Sequence, residues 1–106
     1  MREESKMNGK LQDENMDSLF QAILSLKDSS ECYRFFEDLC TVPELKAMAQ
    51  RLAVAEMLTE KLIYTDIVAK TGASTATISR VARALNYGSD GYNLVFERMG
   101  KKTKNS

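Results

Sequence analysis

Gly72 stands alone between two short stretches of helical hydrophobic spacing, and this arrangement constrains residues 64–85 more tightly than anything else in the chain. Ile67 and Val68 are expected on the inner face of a first helix that stops at Gly72. Glycine there can take the left-handed conformation of a tight inter-helix turn at little steric cost. Ser74 is placed to cap the next helix, since its hydroxyl can accept a backbone N–H left unpaired in the first turn. Ile78, Val81, Ala82 and Leu85 recur at i, i+3, i+4 and i+7, which makes one apolar stripe for packing. Thr75, Ala76, Ser79, Arg80 and Arg83 are left facing out.

Two short helices about a glycine turn, the second with short uncharged residues and arginines outward, form the pattern of a helix-turn-helix. In that geometry the N-terminal part of the second helix enters the major groove of DNA. Arginine can pair there with guanine, while threonine and alanine can touch polar edges or a thymine methyl. The candidate DNA-contacting residues are Tyr64, Lys70, Ser74, Thr75, Ala76, Thr77, Ser79, Arg80 and Arg83. The plainer alternative is a helical hairpin with a polar surface. A solvated helix more often carries Glu and Lys, however, and Asp90 is the only acid between Lys70 and Glu97.

Charge is distributed to match. The 106 residues have a formal net charge of zero. Residues 1–60 hold 7 Lys and Arg against 12 Asp and Glu, whereas residues 61–106 hold 8 against 3, so the +5 half contains the proposed reader. The length fits one domain, and 43% apolar content suffices for a helical core. With no signal peptide and no apolar run of about 18 residues, the chain is expected in the cytoplasm and off the membrane.

Enzyme chemistry finds little support. The absence of histidine removes Ser-His and Cys-His catalysis, and leaves only carboxylates and two cysteines as metal ligands. There is no phosphate-binding Walker loop and no G-x-G-x-x-G. No cofactor is expected. Cys32 and Cys40, eight residues apart on an expected helix, would lie roughly 12 Å apart along its axis, too far to bridge. They read as reduced core thiols.

Along the chain, residues 1–14 are polar without periodicity and read as a mobile arm. Met16, Leu19, Phe20, Ile23 and Leu24 repeat at helical spacing, and Asp28-Ser29-Ser30 gives a break and a new cap. A second helix carries Cys32, Phe35, Phe36 and Leu39. Thr41-Val-Pro43-Glu44 has capping-box spacing, with proline in the first turn, where its missing N–H costs nothing. The third helix, about 43–60, has an apolar stripe too wide for one buried side: Leu45, Met48, Ala49, Leu52, Ala53, Val54, Ala55, Met57 and Leu58. A homodimer is the expected answer, the alternative being a monomer with this helix at its centre. The turn chemistry of Asn86 to Gly91 should end the reader helix. Tyr92, Val95, Phe96 and Met99 then make a closing helix, and residues 101–106 form a basic tail.

These residues resemble a known family. Pro43-Glu-Leu-Lys, then Gln50-Arg51-Leu52, and further on Thr71-Gly-Ala-Ser-Thr-Ala-Thr-Ile-Ser-Arg80 look like the Trp repressor family. The whole of residues 15–100, with its Leu85-Asn-Tyr-Gly-Ser-Asp-Gly-Tyr92 segment, is similar to the YerC/YecD-type branch. The resemblance implies an all-α, six-helix fold, an intertwined homodimer built from helices outside the reader, and operator binding by the reader pair. It also places Arg51 and Arg80 where two arginines sandwich the indole of bound tryptophan, in a pocket that would include Thr77, Val81 and Ala84. Two departures bear on that pocket. Val81 stands where the tryptophan-responsive repressor has glycine, and Ala84 where it has a serine that helps hold the ligand amino group. Tryptophan control is therefore not expected. The function expected is a sequence-specific transcription regulator, a repressor rather than an activator. The alternatives are a protein-interaction module or a low-specificity nucleoid or replication-associated DNA binder.

Overall fold

A computed structural model describes residues 13–101. It contains six helices and, among the described residues, no strand: α1 (Glu14–Leu24), α2 (Ser29–Leu39), α3 (Val42–Thr59), α4 (Tyr64–Thr71), α5 (Thr75–Tyr87) and α6 (Gly91–Arg98). The chain divides into two compact units, at residues 42–43.

The first unit holds α1 and α2, each started by an aspartate. Asp13 accepts the Met16 N–H at 2.6 Å, and Asp28 accepts the Glu31 N–H at 2.9 Å while Glu31 accepts the Lys27 N–H at 2.8 Å. These contacts satisfy donors that a helix leaves open at its start. The expected arm of residues 1–14 is shortened accordingly, because Asp13 caps α1 and Glu14 is its first residue; the rest of that arm lies outside the described residues. Neither α1 nor α2 contains a buried residue. Leu24 is 76% exposed and Tyr33 78%. Cys40 is not helical as expected but the extended residue that ends α2; it and Cys32 are half-buried free thiols rather than core ones.

The second unit carries the core. Val54 and Ala55 of α3, Ile67 of α4, Ala73 of the following turn, Ile78, Val81 and Leu85 of α5, and Phe96 of α6 are buried together, with Met57, Leu58, Leu62 and Tyr92 packed against them. The helix ends explain how four helices close on so small a centre. α3 stops where Lys61 enters the left-handed region at φ 71°. There the Leu62 N–H reaches the Met57 carbonyl and the Lys61 N–H reaches that of Leu58, both at 3.1 Å. That is the Schellman arrangement, with lysine in the place usually given to glycine. Gly100, at φ 77°, ends α6 the same way, and Lys101 donates its N–H to the Phe96 carbonyl at 2.8 Å.

Three expectations need correction. Val68 is 36% exposed, not internal, because an eight-residue helix gives only Ile67 to the core. The fifth helix continues through Asn86 and Tyr87 rather than breaking at Asn86, whose amide donates to the Ala82 carbonyl one turn back at 3.0 Å. The closing helix forms as expected, and of its stripe Phe96 is fully buried and Tyr92 half-buried, while Val95 and the C-cap Met99 are 44% and 55% exposed. Lys101 is part of the folded unit rather than a loose tail, with its ammonium 2.8 Å from Glu56 on α3. Residues 102–106 lie outside the described residues.

Candidate nucleic-acid interface

The joint between α4 and α5 is fixed by side chains as well as by backbone. Gly72 sits at φ 75° and donates its N–H to the Val68 carbonyl at 2.8 Å, closing α4. Thr71 turns its hydroxyl back to donate to the Ile67 carbonyl at 2.7 Å and accepts the Ala73 N–H at 3.1 Å. Gln50, from α3, donates its amide to the Thr71 carbonyl at 3.1 Å. Sequence spacing alone missed Gln50, because its partner lies 21 residues away and no local pattern links them.

Ser74 caps α5 as expected. Its Oγ accepts the Thr77 N–H at 3.1 Å and donates to Thr77 Oγ1 at 3.1 Å, so both hydroxyls serve the helix start. Ile78, Val81 and Leu85 point into the core, and Ala82 is half-buried beside them. Thr75, Ala76, Ser79, Arg80 and Arg83 are all exposed. At about 100° per residue they occupy an arc of roughly 140° opposite the buried stripe. No acid lies on α5, and among the described residues neither arginine is in an ion pair. On α4, Tyr64 begins the helix at 40% exposure, and Lys70 is exposed in the last turn, where a cation suits the helix dipole. The nine candidate residues thus cluster on α4, α5 and the turn between them, with Thr77 half-buried and the other eight exposed.

Of the expected effector residues, Thr77, Arg80, Val81 and Ala84 recur at helical spacing along one side of α5 and Arg51 lies on α3, and their exposure differs. Val81 is 2% exposed, its isopropyl group part of the core. Arg51 and Thr77 are half-buried, and Arg80 and Ala84 are exposed. Ala84 lines an apolar groove of about 460 Å³ with Leu52, Ser89, Gly91, Tyr92 and Val95, a set that includes neither arginine.

Known proteins are similar to this chain in sequence and in fold. The B. subtilis (strain 168) protein YerC, itself uncharacterized, is 58% identical over 90 residues, covering 85% of this chain and 86% of that protein. The crystal structure of a TrpR-like protein from Eubacterium eligens ATCC 27750 superposes with a TM-score of 0.85 at 61% identity, covering 88% of this chain and 96% of that one. A candidate Trp repressor from Staphylococcus aureus gives 0.85 at 49% identity, covering 89% and 94%. The sequence model of the Trp repressor protein family matches residues 14–100, which takes in all six helices. With its helical order and its sequence in agreement over that span, the chain belongs to the Trp repressor family.

Proposed function

We propose that this chain is a sequence-specific transcription regulator of the cytoplasm, a repressor that binds double-stranded DNA as a homodimer. In this reading α4 and α5 form a helix-turn-helix, and α5 lies in the major groove. The carrying observation is the outer arc of α5, where Arg80 and Arg83 stand exposed and, among the described residues, outside any ion pair, beside the short side chains Thr75, Ala76 and Ser79. Short residues at the start of a helix let its backbone come close to base edges, and the arginines supply the donors that guanine accepts. Ser74 and Lys70 flank that start and suit phosphate contacts, as does the Tyr64 hydroxyl.

Dimerisation is supported by apolar surface that one chain leaves uncovered. Phe20, Leu24 and Leu39 in the first unit, and Met48, Leu52, Leu94 and Val95 in the second, are all at least 39% exposed. Exposed large apolar side chains, where they gather into a patch, mark an association surface. Val81 supports a reader that works without tryptophan, since its side chain is buried and stands at the position where the family resemblance implies a glycine that makes room for the indole.

Selection of bound fragments from random DNA, followed by competition with unrelated DNA, tests the proposal. Specific complexes exceed non-specific ones by about 10³ to 10⁷ in affinity. An inverted repeat with half-sites spaced by about 34 to 36 Å is expected, together with a sedimenting mass near twice 11.9 kDa. Equal affinity for every fragment would leave only low-specificity binding.

A further inference from the structure

Gln50 makes a side-chain hydrogen bond that joins α3 to the end of α4, and its acceptor is the carbonyl of Thr71, the last residue before the turn. The C-terminal carbonyls of a helix have no partner within it, so something else must satisfy and orient them. At the end of α4 two contacts do so: Gln50 holds the Thr71 carbonyl and the Gly72 N–H holds that of Val68, while the Thr71 hydroxyl turns back to the Ile67 carbonyl one turn earlier. The Thr71 hydroxyl also receives the Ala73 N–H, which joins the network to the residue before the α5 cap. Gln50 and Thr71 are both half-buried, so these bonds are partly sheltered from competing water.

We infer that Gln50 is a positioning residue for the DNA reader: through Thr71 it fixes the turn from which α5 projects, and so the angle at which Arg80 and Arg83 meet base edges. The inference rests on the DNA-binding reading above. Base-edge hydrogen bonds demand close alignment, whereas phosphate attraction tolerates tilt. Loosening the turn therefore lowers discrimination more than total affinity. Gln50 touches no DNA in this account and acts only through the turn.

Gln50→Met keeps the side-chain length and removes the donor. It is expected to bind a selected site several-fold more weakly, up to about tenfold, as the net worth of one hydrogen bond allows, with non-specific affinity and its salt dependence unchanged. Thr71→Val should behave likewise, while Thr71→Ser, which keeps the hydroxyl, should restore wild-type discrimination. Amide exchange supplies a reading that needs no DNA: the Gly72 and Ala73 amides of Gln50→Met should exchange faster while those of Val54 and Ile78 stay protected. Unchanged exchange at Gly72 and Ala73, or an unchanged ratio of specific to non-specific affinity in the folded variant, overturns the inference. Loss of DNA binding in the wild-type protein would instead count against the reading on which it rests.

Discussion

The Ser74 hydroxyl and Thr77 are bonded twice, the backbone N–H of Thr77 to Ser74 Oγ and Ser74 Oγ–H to Thr77 Oγ1, each at 3.1 Å. The helix proposed to read DNA thus starts from a cap made by its own residues. Ser74→Ala is expected to destabilise the fold by about 1 kcal/mol. Ser74→Asp should keep the cap and the melting temperature, yet weaken DNA binding by placing a negative charge beside phosphate. Melting curves and DNA titrations on the two variants separate the roles. Equal DNA affinity in Ser74→Asp and wild type would place the start of α5 away from the backbone of DNA.

Two backbone positions should respond in opposite directions. A Cβ on Gly88 would stand 2.5 Å from the Ala84 carbonyl oxygen. Gly88→Ala should therefore cost about 1 to 3 kcal/mol, as overpacking does. Lys61 holds a left-handed conformation that disfavours side chains by about 1 to 2 kcal/mol. Lys61→Gly should recover part of that strain and raise the midpoint of denaturant unfolding.

The ammonium of Lys101 is held above its ordinary pKa of 10.5, first by its hydrogen bond to Glu56 and then by the charge of that carboxylate. A raised folded-state value means the pair stabilises fully below pH 10.5 and loses its effect as pH climbs through the folded value. Both partners are partly exposed, so the effect is small and weakened by salt. Lys101→Met should melt slightly below wild type at pH 8, and the gap should close well above the ordinary lysine range. A gap that persisted there would assign the loss to packing of the lysine stem.

Free tryptophan should neither stabilise the protein nor strengthen its DNA binding, because Val81 lies in the core at 2% exposure. A ligand at 100 times its dissociation constant would stabilise the native state by about 2.7 kcal/mol, an obvious shift for a chain this size. No shift is expected with millimolar tryptophan. A partial response in Val81→Gly, compared with its own ligand-free melt, would show that the isopropyl group closes the site. A clear rise for the unaltered protein would contradict the account.

Where chemistry was local, the sequence sufficed. Gly72 and Ser74 had one efficient use each, and the Ile78, Val81 and Leu85 stripe matched a single face of α5. Adjacent apolar residues were harder: Ile67 and Val68 differ by about 100° around a helix, and spacing within eight residues cannot say which one turns inward. Asn86 shows that turn-forming residues also serve a helix when their side chain bonds one turn back. Gln50 was illegible because its partner is set by tertiary packing. The two arginines of the outer arc were plain, since no large aliphatic residue competes for that side of α5.

The central claim is that α5 reads DNA through that arc. Arg80→Ala alone should cost about 1 to 3 kcal/mol on a selected site if it holds a base edge, and should relax the preference at that position. The most direct measurement is a titration of the selected site with the folded Arg80→Ala, Arg83→Ala double variant beside wild type at fixed salt. The account predicts that specific binding falls to the non-specific level; full affinity in the double variant, with its melt unchanged, would contradict it.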